Sequence, residues 1–188
     1  MSPCYVFLLA LPLAAAQSMG WGHCPTPAVQ ANFSMEQFLG KWYEIQRQPS
    51  MHDMGRCSEA NIVWHDDSDS TMQVTMAQIV DDEVKTMQGL LYEGTEEPAK
   101  MEFSYQTNSE TLNTILPRCQ WWVLQTDYSS MSVAYSCKEY MGMFHTEYTW
   151  IISRRRSLPS WQLSQAREVL RKAGTNAGIM SDQTDCGE

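Results

Sequence analysis

Apolar and polar residues alternate along most of this chain, in short segments that polar turns separate. In residues 71–80, Met72, Val74 and Met76 fall on one face of an extended segment. Residues 144–152 likewise place large apolar side chains opposite a polar face. That polar face consists of His145, Glu147 and Thr149. A period of two is typical of β-strands that turn one face to a core and the other to solvent, so the pattern predicts an all-β fold.

Turn-forming clusters divide the chain into about eight such segments. The clusters at residues 66–70 and 94–98 are examples. The predicted strands lie near residues 40–48, 57–65, 71–80, 84–93, 99–105, 119–126, 131–137 and 144–153. Short connections between consecutive strands favour a meander, and the strand count favours an up-and-down barrel or a sandwich.

One segment, residues 160–173, has a helical period instead. Its apolar stripe is formed by Trp161, Ala166, Val169 and Leu170. Ser160 is a candidate N-cap, and Gly174 is a candidate C-terminal stop. We therefore predict a single amphipathic α-helix after the last strand, with its apolar stripe packed on the outside of the sheet.

The first sixteen residues differ in composition from the rest of the chain. They carry no charged side chain, and an apolar run passes into three alanines at residues 14–16. This is typical of a secretory signal peptide with an A-x-A cleavage site. The run is shorter than the roughly 20 residues that span a bilayer. We predict a signal peptide at residues 1–16, a single domain at 17–188 and an extracellular location.

Five cysteines remain after such a cleavage. They are Cys24, Cys57, Cys119, Cys137 and Cys186. In an oxidising compartment we expect two disulfides and one free thiol. No cysteine or histidine spacing is that of a zinc site, so no metal site is expected. Asn32 begins the sequon Asn32-Phe33-Ser34, which secretion would make available for glycosylation.

The charge balance limits the partners of this chain. It has 188 residues and a formal net charge of −9. That length suits one domain with its own core. Nucleic acids and anionic membranes are polyanions that attract fields of Lys and Arg, so we expect no nucleic-acid partner.

Three blocks of the chain resemble the sequence signature of the lipocalin family. They are Gly40-Lys41-Trp42-Tyr43, Thr126-Asp127-Tyr128 and Arg154. Further local blocks are similar to the apolipoprotein D-like group of that family. These blocks lie at residues 24–27, 55–57, 97–100, 135–137 and 144–151. The similarity extends over almost the whole chain after the predicted signal peptide.

The resemblance implies an eight-stranded antiparallel up-and-down barrel that is closed at one end, with one C-terminal α-helix outside. It assigns structural roles to six residues of the signature. They are Gly40, Trp42, Thr126, Asp127, Tyr128 and Arg154. In the family, the tryptophan closes the base and the arginine packs over its ring. The resemblance also implies the disulfides Cys24–Cys137 and Cys57–Cys186, which leave Cys119 as the free thiol.

The family's barrel holds a cavity. The parity of the family's strands implies most of its lining residues, alternation alone adds Phe103 and Tyr105, and the parity of Asp127 favours Trp121 and Val123 over Trp122. The predicted lining residues are Ile62, Met72, Val74, Met76, Gln78, Phe103, Tyr105, Trp121, Val123, Tyr148 and Trp150. This wall is aromatic and rich in methionine. The resemblance therefore implies a carrier, without cofactor or enzymatic activity, for a small hydrophobic ligand such as a lipid, fatty acid, steroid, retinoid or bilin, with a role in lipid transport.

Other interpretations remain open at this stage. The inward side chains could simply fill the barrel. Cys119 could serve a lipocalin-type thiol isomerase if it faces the cavity near a cation, although the adjacent Arg118 should point to the opposite face. We expect a monomer, and Cys119 offers a route to an oligomer.

A further alternative is a module that docks on lipoprotein particles or a membrane surface. Met51, Met54 and Leu112 are the candidates for such a contact at the barrel mouth. Exposed methionines such as Met141 and Met143 could in addition reduce lipid peroxides.

Overall fold

The computed structural model describes residues 19–48, 55–65, 70–115 and 118–186. The predicted signal peptide lies outside this part of the chain. Met51, Met54 and the side chain of Leu112 also lie outside the described residues.

Ten strands and three helices are present in the described part of the chain. The strands are β1 (Met19–Trp21), β2 (Gly40–Arg47), β3 (Arg56–Trp64), β4 (Thr71–Val80), β5 (Glu83–Tyr92), β6 (Lys100–Gln106), β7 (Cys119–Thr126), β8 (Met131–Tyr140), β9 (Phe144–Ser153) and β10 (Ile179–Met180). The helices are α1 (Met35–Phe38), α2 (Glu110–Ile115) and α3 (Ser160–Lys172).

Strands β2 to β9 pair with their sequence neighbours, and β9 also pairs with β2, which closes the sheet. The predicted eight-stranded antiparallel barrel is thus confirmed. Strands β1 and β10 extend the sheet by pairing with β9 and β2, respectively. These two short strands and the helices α1 and α2 were not predicted, because segments of two to six residues show no measurable hydrophobic period.

Cross-strand pairs divide the barrel into an inner and an outer face, because directly opposed residues of an antiparallel sheet share a face. Ile62 pairs with Val74, and both belong to a buried cluster around Trp42. Tyr135 pairs with Thr149, and Tyr135 belongs to a second cluster that includes Ala166 of α3. The first cluster is the barrel interior, and the second lies between the outer wall and α3.

Helix α3 packs on the outside of the barrel, as predicted, but its buried stripe is shorter than the predicted one. Ala166 and Leu170 are fully buried, whereas Trp161 is 65% exposed. The N-cap is Pro159, with no capping bond from a side chain, so Ser160 is not the cap. The apolar stripe therefore contacts the sheet only through the middle and end of the helix.

The polar face predicted for β9 is not solvated. His145 is buried, and its Nδ1 lies 3.0 Å from the carbonyl oxygen of Gly22. Thr149 is also buried, and its hydroxyl donates to the carbonyl of Asn176 at 2.6 Å. The N-terminal strand and the segment after α3 cover this face, which a pattern within one strand could not indicate.

Two disulfides tie the chain termini to the barrel. They join Cys24 to Cys137 and Cys57 to Cys186, the pairing implied by the family resemblance. The second disulfide holds a C-terminal segment between β2 and β3. There the amide of Ser181 donates to the carbonyl of Ile45 at 3.0 Å.

Candidate ligand-binding site

The base of the barrel is sealed by aromatic packing. The Trp42 ring stacks on Phe38 with centroids 4.9 Å apart, and its indole N–H donates to the carbonyl of Phe38 at 2.8 Å. The Arg154 guanidinium lies 3.7 Å from the centre of the Trp42 ring. Gly40 has a φ of 95°, and a side chain there would crowd Arg154.

The Thr126-Asp127-Tyr128 turn lies at the same end. One Asp127 carboxylate oxygen accepts hydrogen bonds from the backbone N–H groups of Ser129, Ser130 and Met131. The Tyr128 hydroxyl accepts from the backbone N–H of Ser34 at 3.0 Å, which joins the turn to α1. The residues of the family signature thus meet at one end of the barrel, where they contact one another and α1.

The lower half of the inner wall forms a closed floor above Trp42. Four of the predicted lining residues lie there and are almost completely buried. They are Ile62, Met72, Val74 and Val123. Met101 and Leu91 complete this layer, and neither retains more than 2% exposure. These side chains fill the base, so they limit the depth of any cavity.

The upper half of the inner wall is partly exposed. Most of the remaining predicted residues lie at this level. They are Met76, Gln78, Phe103, Tyr148 and Trp150, which are partly buried, and Tyr105, which is 40% exposed. Trp121 is also partly buried but lies at the border with the floor, because it is directly opposite Met101 and its ring centroid is 5.9 Å from that of Phe38. A side chain on the inside of a closed barrel keeps accessible surface only where water can enter the interior. These side chains are more exposed than those of the floor, which indicates a space at the end of the barrel opposite the base. This end is here called the mouth.

Aromatic pairs give this upper wall its shape. Tyr148 and Trp150 stack with centroids 6.3 Å apart, and Phe103 meets Tyr105 edge-on at 4.9 Å. A Cβ atom at Gly89 would lie 2.2 Å from the Phe103 ring, so the absence of a side chain there lets the ring lie against β5. Sequence reasoning missed Gly89 as a wall position, although its parity with Met76 would have indicated it.

Two charged residues, Glu44 and Arg47, also belong to the inner face. Glu44 pairs with Ile152 of the inner cluster, and Arg47 pairs with Trp150. The register shifts between Glu44 and Gln46, which indicates a β-bulge. Alternation from Trp42 already places Glu44 inside, whereas it would place Arg47 outside, and the bulge turns Arg47 inward. Sequence reasoning did not consider Glu44 and could not have placed Arg47 beside it.

Cys119 is the one free cysteine among the described residues. It pairs with Phe103 across β6 and β7, so its side chain belongs to the inner face near the mouth. Arg118 lies on the outer face, 3.8 Å over the Tyr92 ring and 3.2 Å from a carboxylate oxygen of Glu102. The cation considered for a thiol isomerase therefore does not face the thiol.

A polar cleft of about 470 Å³ lies outside the barrel, between α3 and the C-terminal segment. It is lined by Gln46, Gln48, Arg167, Asn176, Ala177 and Gly178. The Arg167 guanidinium donates to the side-chain oxygen of Gln46 at 3.0 Å. Mostly polar walls of this kind do not suit an apolar ligand, so we place the candidate site in the barrel interior.

No helix in the described part of the chain is long and apolar enough to cross a membrane. Among the described residues, no group of three or more His, Cys, Asp and Glu side chains could hold a metal ion. Asn32 is exposed, with a φ of 50°, in a turn before α1.

Comparisons with known proteins agree with this architecture. A family profile described as a lipocalin-like domain matches residues 33–182. The chain is 30% identical over 182 residues to apolipoprotein D of Mus musculus, covering 92% of this chain and 89% of the relative. It is 27% identical over 172 residues to the Lazarillo protein of Schistocerca americana, covering 87% of this chain and 74% of the relative.

Solved structures show the same fold at lower identity. Lobster apocrustacyanin A1 superimposes with a TM-score of 0.73 and 17% identity, covering 89% of this chain and 92% of that one. Insecticyanin from Manduca sexta superimposes with a TM-score of 0.71 and 20% identity, covering 84% and 82% of the two chains. The profile match over most of the chain, together with the closed barrel, shows that this chain belongs to the lipocalin family and is similar to apolipoprotein D.

Proposed function

We propose that the protein is a carrier that binds one small hydrophobic molecule in the upper half of its barrel. The observation that supports this most directly is the partly exposed, aromatic inner wall above a fully buried floor. Family membership supports the same function. The ligand class is a lipid, fatty acid, steroid, retinoid or bilin, and loading is passive and reversible through the mouth.

Such a wall would bind its ligand mainly by removing apolar surface from water. Burial contributes about 25 cal/mol per Å² of apolar area. Trp121 and Trp150 offer flat apolar surfaces, and few polar groups are needed to orient the ligand. Shape and apolar area would therefore decide which molecules bind, and the flexible thioether of Met76 lets the wall adapt to different ligands.

The test is a fluorescence titration of the secreted protein with a panel of steroids, retinoids and fatty acids. We expect saturable quenching at one ligand per protein, because Trp121 and Trp150 lie on the proposed wall. The variant Trp161→Phe removes an exposed tryptophan on α3 and should leave the quenching unchanged. Absence of saturable quenching across the whole panel would contradict the proposal.

Cys119 provides a second measurement, because its side chain belongs to the same inner face. A saturating ligand should slow alkylation of this thiol by iodoacetamide. The variant Cys119→Ala should still show saturable binding of one ligand per protein, since the proposed carrier needs no nucleophile. An inward thiol is also poorly placed for linking two chains, so we propose that the protein is a monomer.

Secretion is part of the same proposal. The two disulfides suit an oxidising compartment. The alanine-rich end of residues 1–16 supports cleavage of a signal peptide, and the exposed Asn32 supports glycosylation. N-terminal sequencing of the secreted protein should begin at Gln17, and treatment with an N-glycosidase should lower its mass. Retention of the intact N-terminus inside expressing cells would contradict secretion.

One observation favours a second function, contact of the mouth with a lipid surface. Trp21 and Met141 are each 91% exposed, and Met143 is 57% exposed. They cluster near the β8–β9 turn, where the amide of Gly22 donates to the carbonyl of Met143. Exposed tryptophan beside apolar side chains is typical of surfaces that enter a membrane interface.

Flotation with zwitterionic phosphatidylcholine vesicles separates this function from carriage. The double variant Trp21→Ser/Met141→Ser should abolish flotation and keep ligand quenching. The variant Trp150→Ala should still float with the vesicles but lose ligand quenching. If both variants float like the wild type, lipid-surface binding by this patch is excluded. Solvent access also makes Met141 and Met143 the sites where peroxide-dependent sulfoxide formation should be detected first.

A further inference from the structure

We propose that Glu44 and Arg47 form an electrically neutral polar pair inside the barrel, and that this pair selects ligands with an uncharged hydroxyl or carbonyl group over ligands with a carboxylate. The inference rests on the proposed carrier function. It adds a class of ligand head group, which the apolar wall alone does not specify.

The position of the pair follows from the register of β2 and β9. Arg47 is directly opposite Trp150, and Glu44 is directly opposite Ile152. Trp150 and Ile152 belong to the inner cluster, so both charged side chains share the inner face. The pair lies above the Trp42 floor and beside the proposed ligand-binding tryptophan.

The pair is enclosed rather than solvated. The side chains of Arg47 and Glu44 are 8% and 13% exposed, and Arg47 Nε lies 3.4 Å from Glu44 Oε1. The hydroxyl of Ser181 donates to the same Glu44 oxygen at 2.6 Å. Removing two charges from water costs several kcal/mol each, and good packing of apolar residues would often be at least as stable. A role in ligand selection accounts for ionic groups at this position.

The chemistry of the pair favours a particular head group. A guanidinium carries five N–H donors, and a carboxylate has about four acceptor positions, so each can bond a ligand in addition to its protein partners. A ligand hydroxyl can accept from Arg47 and donate to Glu44. A ligand carbonyl can accept from Arg47. Either forms its bonds without adding charge to the site.

The electrostatic field of the pair is less favourable for a ligand carboxylate. Its charge would be attracted by Arg47 but repelled by Glu44 at a similar distance, and it would lose its own hydration on entry. Lys138 belongs to the inner face of β8 through its pairing with Thr146, but it is exposed near the mouth, where solvent screens its charge. The neutral pair therefore disfavours the carboxylate without excluding the apolar chain that carries it.

The experiment compares oleyl alcohol with oleic acid, which share one hydrocarbon chain and differ in the head group. Tryptophan quenching is measured at about pH 8, where the acid is ionised. The wild-type protein should bind the alcohol at least about tenfold more tightly than the acid. In Glu44→Gln, the positive charge of Arg47 is no longer balanced. The affinity for oleic acid should therefore rise at least about tenfold relative to the affinity for oleyl alcohol.

Arg167→Met is the matched control, because Arg167 contacts the neighbouring Gln46 but lies on the outer wall. It should leave the acid-to-alcohol ratio unchanged. A wild-type preference for the acid overturns the inference without any variant, as does an unchanged ratio in folded Glu44→Gln. Failure of both probes and of the whole ligand panel to quench the wild type would instead contradict the carrier function itself.

Discussion

The guanidinium of Arg154 stacks on the ring of Trp42 at 3.7 Å and also donates to four backbone carbonyls. The carbonyls belong to Tyr128, Lys41, Gln37 and Phe38, at 2.9, 2.9, 3.0 and 3.4 Å. One side chain at the end of β9 thus joins the turn after β7, the start of β2 and helix α1. The base of the barrel is closed by this contact as much as by apolar packing.

We predict that Arg154→Ala lowers the free energy of unfolding by about 2–4 kcal/mol, because it removes a cation–π contact and leaves carbonyl groups without a partner. Urea unfolding followed by fluorescence measures the change. The control is Arg155→Ala, at an exposed neighbouring position. Equal stability losses in the two variants would show that the base does not depend on Arg154.

Trp42 and Trp150 should separate folding from binding. Trp42 is 1% exposed in the base, so Trp42→Ala should cost about 3–5 kcal/mol of stability. Trp150 is only partly buried, on the proposed cavity wall, so Trp150→Ala should weaken ligand binding more than folding. Urea unfolding and ligand titration of both variants provide the comparison. The opposite order would mean that base and cavity are assigned to the wrong tryptophans.

The stability of the base should depend on the charge of Asp127. Burial alone would raise the pKa of this carboxyl, but hydrogen bonds from the Ser130 side chain and from three backbone N–H groups outweigh it and lower the pKa. The ionised form therefore contributes stability above the ordinary value of 3.8, and this contribution is lost as the pH falls through the lowered pKa of the folded state.

The variant Asp127→Asn tests this dependence. It should be less stable than the wild type at about pH 7, and the difference should shrink as the pH falls through the lowered pKa of the Asp127 carboxyl, because protonation leaves both proteins with an uncharged side chain. Urea unfolding over a series of pH values from neutral to acid is the measurement. A difference that is independent of pH would contradict a role for the charge.

Removal of the disulfide between Cys57 and Cys186 should affect both stability and binding. The two cysteines are 129 residues apart in sequence, and chain entropy predicts a loss of up to about 4–5 kcal/mol. The C-terminal segment that it holds contains Ser181, the hydrogen-bond partner of Glu44. The double variant Cys57→Ser/Cys186→Ser should therefore also lose part of its head-group selectivity.

Cys119→Ser serves as the control for that double variant, since Cys119 forms no disulfide. It should retain the unfolding midpoint of the wild type, because no cross-link is lost. If the double variant is as stable as this control, hydrogen bonds to β2 and β3 hold the C-terminal segment without the disulfide.

Much of the barrel could be predicted from alternation within single strands. The inward parity of Phe103 needed no more than a period of two, whereas that of Met76 and Trp150 was implied by the family resemblance. The same reasoning misassigned His145 and Thr149, because their burial comes from distant segments that cover β9. It also misassigned Trp161, because a helical stripe does not show how far the sheet extends beneath it.

The sequence by itself determined the eight strands of the barrel and their meander order, and its resemblance to the lipocalins indicated the aromatic inner face and the residues that close the base. These features depend on neighbours along the chain, on short turns and on a signature of local blocks. Only the tertiary structure decided the depth of the floor and the inward position of Arg47, and with it the ionic pair that Arg47 forms with Glu44. Each of these depends on cross-strand register, and a single β-bulge in β2 was enough to reverse the parity that the sequence implies.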